Sequence, residues 1–465
     1  MGTKAAPPSA PATTGRKRKG RTFPPAAGRR RRRNPAPEVH EGGWASLPTD
    51  ITLLVAGRVL DGDVVDYISF RAVCSGWRAC TACPREPTML DPRLRPRAWI
   101  ALCDGDAVRP DEAGEIAFFH TRTARCIRVR LPELRRYRIV GFTDGLVILL
   151  HKRTTAVRVL HPFTRVAVDL PPLAPAFHRA VKHRNAMLEM NAAVCTAASG
   201  ISIAVVACFP WVHVVLSAEP GHQGWEVIHK SMELLNTLPF QGRLYGIVSS
   251  YRQIVQVYPP NPLGPVVAHV PPRFAQRVHC SYLVESGGHI LLVVRYEHGY
   301  WKHVEPWKRF TFATFKVSSV SRLWQFFPVC NLGDRALFLW QDRCLSISAK
   351  DLPSVRRNSL YFSFPLANHV ILHCLTYRSF ERPTTFCQVH DSKERIRPSV
   401  RPFTIADHLL TYCSHREWAR GLMFHEYYQS RMFTRSQAKD DVLSSGPEAR
   451  GLLPYVSDSA TSMRP

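Results

Sequence analysis

The stretch ISIAVVACFPWVHVVLSA, Ile201 to Ala218, admits two folds. It lies inside a longer run, Met190 to Ala218, that contains no Lys, Arg, Asp or Glu. By length alone such a run could cross a bilayer as a helix, which needs about 20 apolar residues. Its interior argues otherwise. Ser199-Gly200, Pro210 and His213 interrupt it, and the apolar residues fall into two short runs on either side of the proline. Two buried strands joined by a proline-containing turn account for that pattern, and a membrane helix does not. No membrane partner is expected.

Working outward, similar runs recur between Gly/Pro/Asp turns: GEIAFFH, GLVILLH, ISIAVVA, GRLYGIVS, GHILLVVR and RALFLWQ. The last four begin at residues 201, 242, 288 and 335, an interval in the forties. Several strands per unit at that period predict a β-propeller of four-stranded blades. A pair of β-sandwiches is the alternative, but it would not require the regular spacing. The period changes at both ends. Residues 44–83 read as helices, with Ile51, Leu54, Val55 and Val59 on one face. Pro48 suits a first turn, Asp63 a helix N-cap, and Phe70, Val73, Cys74 and Trp77 a third helix. Residues 405–432 return to helical spacing, and an insert near 176–193 is hard to place. The expected fold class is multidomain: a small all-α module of three helices at 44–83, an all-β propeller over 98–432, a disordered basic arm at 1–40 and a frayed tail at 433–465. Module and propeller are expected to be separable.

The chain has 465 residues, 45% of them hydrophobic, which is enough for more than one core. Its net charge of +26 is uneven. No acid precedes Glu38, whereas Lys4, Arg16, Lys17, Arg18, Lys19, Arg21, Arg29, Arg30, Arg31, Arg32 and Arg33 all do. So polar and basic an arm cannot bury enough surface to offset its chain entropy. Clustered basic residues in extended chain fit the acidic grooves of import receptors, so a nuclear location is expected. An inert basic tail and an organelle transit peptide stay open as readings of the same residues. The 13 Cys follow no framework, no apolar secretory segment opens the chain, and none of the eight Asn is an N-glycosylation acceptor. Free thiols in a reducing compartment are expected.

Residues 44–83 resemble an F-box. Leu47-Pro48, the apolar set Ile51, Leu54, Val55 and Val59, Asp63 at the middle turn, and FRAVCSGWR at the end carry the resemblance. It implies docking on a Skp-type adaptor and thereby on a cullin–RING ubiquitin ligase. Leu47, Pro48, Ile51, Leu54, Val55, Val64, Val73 and Trp77 would then serve the adaptor interface or the module's own core. The β region resembles the KIB-type propeller of a large plant F-box family, formerly a domain of unknown function. VGFTDGLVILL, HPFTRVAVDLPPL, YLVESGGHILLVVR and LGDRALFLWQDRCLSISAKDLP followed by NSLYFS carry that resemblance, although Trp340 stands where the family has a small residue. It implies a receptor subunit holding an unidentified target protein, with no catalytic residues. Three rivals stay open: a basic nucleic-acid-binding protein, with steeply salt-dependent binding, an F-box scaffold that changes no protein's lifetime and, ranked last, a hydrolase or oxidoreductase using clustered Cys and His.

Chemistry-bearing motifs are scarce. Cys80 and Cys83 in CTAC have metal-ligand spacing, but no second Cys-x-x-Cys completes a four-ligand site. HEYYQ at 425–429 has Gln429 where a zinc protease needs its second histidine. No nucleophile elbow, phosphate-binding loop or dinucleotide fingerprint occurs. No cofactor, metal or enzymatic activity is expected. The β-region tryptophans are expected to pack blades, with a few available to line a partner-binding face.

Overall fold

The computed structural model describes residues 43–102, 114–181, 187, 190–209, 212–248, 253–271, 278–297, 310–320, 323–363, 370–381, 388–390, 396–398 and 405–413. Residues 1–42, with the whole basic arm, and 414–465 lie outside the described residues. The chain divides into a short unit ending at Leu47 and a large unit beginning at Pro48. In the short unit, Trp44–Ser46 form one 3-10 turn with Ser46 Oγ donating to the Gly43 carbonyl at 2.8 Å.

The large unit opens with three helices: α1 (Thr49–Gly62), α2 (Val64–Arg71) and α3 (Ser75–Cys80). Asp63 ends α1 and starts α2. Its carboxylate accepts from the Val65 N–H at 3.0 Å, filling one of the donors a helix start leaves open. The small core of the module is Ala56, Tyr67 and Leu94, with Val59, Leu60 and Phe70 packed on it. Thr52 and Ala56 are the buried side chains of α1. The face expected to carry Ile51, Leu54, Val55 and Val59 together is split, because small residues at 52 and 56 turn inward and Val59 follows them.

The strands follow as successive sheets, antiparallel but for one pair in the sixth. The first holds β1 (Trp99–Leu102), β2 (Glu115–His120) and β3 (Cys126–Arg130). The second holds β4 (Tyr137–Thr143), β5 (Leu146–His151), β6 (Ala156–Leu160) and β7 (Ala167–Pro172). A short helix, α4 (Ala174–Ala180), leads to the third: β8 (Asn191–Thr196), β9 (Ile203–Phe209), β10 (Val214–Ala218) and β11 (Glu226–His229). The fourth is β12 (Leu234–Phe240), β13 (Arg243–Val248), β14 (Gln253–Tyr258) and β15 (Val266–His269). The fifth is β16 (Val278–Ser286), β17 (His289–Glu297), β18 (Phe310–Val320) and β19 (Leu323–Pro328). In the sixth, β20 (Arg335–Leu339) lies between β21 (Cys344–Ser348) and β22 (Ser359–Ser363), which continues to β23 (Val370–Cys374) and β24 (Ser379–Glu381). The β20–β22 pair is parallel. Among the described residues these are six blades of a propeller, with a further pair at Gln388–His390 and Ile396–Pro398. The charge-free stretch spans β8, β9 and β10, and within it β9 and β10 pair antiparallel with Phe209 opposite Val214.

Each blade packs on both neighbours, and strand alternation assigns the residues. In β8, Ala192 and Val194 join the core shared with the second blade, whereas Ala193 and Cys195 join the one shared with the fourth. In β17, Ile290, Leu292 and Val294 face the fourth blade, and Leu291 and Val293 the sixth. Both faces are dry, so the strands read as unbroken apolar runs rather than alternating ones. The ring closes through α5 (Ile405–Cys413). Its Leu409, Leu410 and Cys413 share one core with Trp99 and Phe118 of the first blade and Ala336 and Phe338 of the sixth. Two glycines allow the closest approaches. A Cβ at Gly141, in β4, would lie 2.0 Å from the Ala192 carbonyl oxygen of β8. Gly145 follows Asp144 in the tight β4–β5 turn with φ +76°, and its Cβ would lie 2.0 Å from the Pro96 oxygen.

Candidate functional site

Two surfaces are candidates: an apolar face on the helical module and the mouth of the propeller's central channel. On the module, Ile51, Leu54 and Val55 of α1 are 41%, 55% and 36% exposed, with Leu53 at 47%. Val73, in the turn before α3, is 60% exposed and Pro48 is exposed too. The other expected interface residues differ. Val64 is 3% exposed and belongs to the interior. Trp77 is half-buried, its ring stacked on Phe70 at 4.3 Å. Its indole N–H meets no acceptor among the described residues. Leu47, half-buried, ends the short N-terminal unit. Side chains that would each gain about 1.5–3 kcal/mol from burial thus stand in water, although the module has closed its own core without them. The sequence pattern gave no sign that Leu53 would join them.

The module is bonded to the first blade rather than tethered to it. Asp63, whose side chain is 7% exposed, accepts from the Trp99 indole N–H at 2.7 Å and lies 3.7 Å from the Arg125 guanidinium. Arg125 also pairs with Asp66 at 2.6 Å and lies over the Trp99 ring, 5.4 Å from its centroid. Arg122 donates to the Gly62 and Asp61 carbonyls, at the negative end of α1. The segment between α3 and β1 is fastened as well. Arg95, 6% exposed, donates to the Met89 carbonyl at 2.9 Å and to Asp144 at 3.0 Å, and the His161 ring meets the Leu94 carbonyl at 3.1 Å. These bonds run between the helices and the first blade, and helices and propeller lie in one compact unit from Pro48 on. Asp63 showed in the sequence as a cap; its bonds to the blade did not, since Trp99 and Arg125 are remote in sequence.

At the channel, the turn between β20 and β21 is the hub. Asn236 of β12, 2% exposed, donates to the Trp340 and Gln341 carbonyls at 3.4 and 3.3 Å and accepts from the Leu283 N–H of β16 at 2.8 Å. Asn191 of β8 donates to the Asp342 carbonyl at 3.1 Å. One turn thereby ties together strands from four blades. Beside it a cavity of about 130 Å³ is bounded by Phe142, Asp144, Asn191, Thr237, Arg343 and Tyr412 among others. The Arg343 guanidinium lies 4.9 Å from the Phe142 ring centroid and 4.6 Å from that of Tyr412.

The remaining expected features carry no site. The basic residues Arg16–Lys19 and Arg29–Arg33 and the motif at 425–429 lie outside the described residues. Cys80 ends α3 half-buried with its thiol toward the Trp77 carbonyl, and Cys83 is exposed. Among the described residues no group of His, Cys, Asp and Glu is arranged to hold a metal, and no helix is long and apolar enough to cross a membrane. Burial pushes the Cys195 thiol well above its usual value and the Cys208 thiol up to about 12, so both are inert packing groups rather than nucleophiles.

The described residues thus show a helical module with an exposed apolar face, bonded to the first blade of a propeller. The chain belongs to the KIB1-4 β-propeller family, whose model matches residues 118–390. It is similar to an F-box protein of Arabidopsis thaliana, 35% identical over 89 residues, which are 18% of this chain and 22% of that protein. The chain thus spans about a fifth of that relative's length. Among solved structures it is similar to Kuenenia stuttgartiensis hydrazine synthase, at 11% identity and a TM-score of 0.27 over 58% of this chain and 89% of that one. It is also similar to YCF48 from Cyanidioschyzon merolae, at 11% identity and a TM-score of 0.24 over 46% and 69%.

Proposed function

We propose that this chain is the target-recognition subunit of a cullin–RING ubiquitin ligase. The helical module holds a Skp-type adaptor through Ile51, Leu54, Val55 and Val73, and the propeller holds the protein to be modified. The chain supplies proximity, raising the local concentration of the target's lysines near the charged conjugating enzyme. It needs no catalytic group of its own. The basic arm directs the complex to the nucleus. The observation that carries this reading is the exposed aliphatic set on a module whose core is already complete. The similarity to an F-box protein supports the same partner.

The test is adaptor binding by Ile51→Ala/Leu54→Ala. Both side chains are exposed, so the fold should tolerate the change within about 0.5 kcal/mol per site. Two buried aliphatics lost from the interface cost a few kcal/mol, roughly a hundredfold or more in affinity. Wild-type affinity for the adaptor in the double variant would remove the assignment. Adaptor binding with no ubiquitin transfer to any captured protein would favour the scaffold role instead.

A further inference from the structure

We infer that the mouth of the central channel is a carboxylate-binding site, with Arg343 as the anchor for an acidic side chain or chain end of the captured protein. The inference deepens the recognition role proposed above, but it rests on the propeller alone.

Arg343 follows Asp342 in the turn that Asn191 and Asn236 hold at the hub. Its backbone is therefore fixed, and its side chain is fixed by the two rings that flank the guanidinium. Faces of Phe142 and Tyr412 supply attraction for a cation but accept no ordinary hydrogen bond. The guanidinium has five N–H groups, and Nη1 is buried with no acceptor among the described residues. A buried donor left without a partner costs about 1–3 kcal/mol, so a position held this firmly with an open donor is arranged for an acceptor from outside. The cavity beside it, about 130 Å³, provides the room. That is room for a carboxymethyl or carboxyethyl group.

The charges lining the cavity choose among anions. Asp144 is bound by Arg95 at 3.0 Å, which leaves its charge compensated. Asp342 is 3% exposed and engaged, and it adds a second carboxylate to the wall. A dianionic phosphate would face two carboxylates with one cation, Arg343, whose guanidinium is already shared with the Tyr412 hydroxyl and has Nη1 open. A monoanionic carboxylate meets less repulsion and matches the planar fork of a guanidinium in two parallel hydrogen bonds.

The site is tested on the full chain, without adaptor, by saturation-transfer NMR and competition. The probes are blocked glutamate (N-acetyl, N′-methylamide), blocked glutamine, blocked phosphoserine and an N-acetylated tripeptide ending in a free carboxylate. Blocked glutamate should bind at least tenfold more tightly than blocked glutamine, and Arg343→Met should abolish the difference. Preference for the tripeptide would assign the site to a chain terminus, and preference for blocked glutamate to an internal acidic residue; either supports a carboxylate site. Equal binding of glutamate and glutamine to the unaltered chain would overturn the inference whether or not the variant folds. So would tighter binding of blocked phosphoserine. If Arg343→Met proves unfolded, Arg343→Lys, which keeps the charge but not the fork, should weaken glutamate severalfold. Unchanged glutamate binding in a folded Arg343→Lys would also overturn it. Because adaptor plays no part, failure here leaves the F-box reading standing, and failure of adaptor binding leaves this site standing.

Discussion

Replacing Asp63 by alanine should loosen the joint between module and blade. Three interactions end together. The first turn of α2 loses its side-chain cap to Val65, at about 1 kcal/mol. The Trp99 indole N–H, in a residue only 1% exposed, loses its acceptor and is stranded, at about 1–3 kcal/mol. The pair with Arg125 adds at most about 1 kcal/mol, since it is 3.7 Å long and the arginine is 40% exposed. The expected loss is on the order of 3 kcal/mol, and Asp63→Asn, which keeps an acceptor for the indole and the cap, should lose about a third of it. Urea unfolding gives the total, and amide hydrogen exchange locates it. Protection should fall in α1 and α2 and also in β1, where Trp99 sits. A change under about 0.5 kcal/mol would refute the reasoning. So would faster exchange in the helices with β1 untouched, because the module would then be tethered only by its chain.

Further outcomes follow from single sites. Gly145→Ala should cost more than Gly200→Ala: φ is +76° at the first and +75° at the second, but only at Gly145 does a Cβ meet backbone, 2.0 Å from the Pro96 oxygen. The left-handed conformation alone costs about 1–2 kcal/mol, so equal melting temperatures in the two variants would show the Pro96 contact to be soft. Burial holds the His161 and His373 rings down at about 4, from an ordinary 6.5. The unfolded chain protonates them first, so their contribution is full above pH 6.5 and drains as pH falls toward 4, each worth on the order of 3 kcal/mol. Urea midpoints across that window should fall, and His161→Gln should flatten the slope; an unchanged slope would count against a buried neutral ring. A fluorescent fusion lacking residues 1–37 should move from nucleus to cytosol, and an unmoved fusion would assign the arm another role. Target capture should weaken as salt rises toward physiological levels, because the chain beyond the arm stays basic; insensitivity would point to an apolar site.

How legible the fold was depended on what each blade buries. Strands such as Ile203–Phe209 are dry on both faces, so they appear in the sequence as apolar runs, and their interval of forty-odd residues exposes the repeat. The sixth blade was legible as strands but not as topology. Nothing in RALFLWQDRCLSIS announces that β20 will run parallel to β22, because a parallel neighbour is chosen by the return of the chain and not by local pattern. The insert near 176–193 resolves into α4 at Ala174–Ala180 and β8 from Asn191, the charge-free stretch having begun one strand earlier than the hairpin it suggested. For the module, helical spacing placed Ile51, Leu54 and Val55 correctly on one side, but it could not say that Thr52 and Ala56 would take the inward side. Small residues permit close helix contact without looking hydrophobic. Arg343 was invisible as a site, since its meaning comes from Phe142 and Tyr412, which only the closed ring brings to it.

The joint decides what kind of receptor this can be under the proposed function. A receptor whose two ends were joined by flexible chain would present its target over a wide volume, with the effective concentration falling as the linker lengthens. Here Asp63 and Asp66 hold Arg125, Arg122 holds the end of α1, and Arg95 fastens the connecting segment to Asp144. Asp144 and Gly145 form the turn that borders the channel mouth, so the segment leaving the module is bonded to the rim of the candidate recognition site. A residue of that rim and the helices of the docking face are therefore joined by a continuous path of bonds. Adaptor and target would be held at a fixed distance and angle, and the lysines within reach would be set by how the target sits on the propeller rather than by diffusion of a tether. That places specificity in two successive selections, one by the chemistry of the channel mouth and one by the geometry of the captured protein's surface.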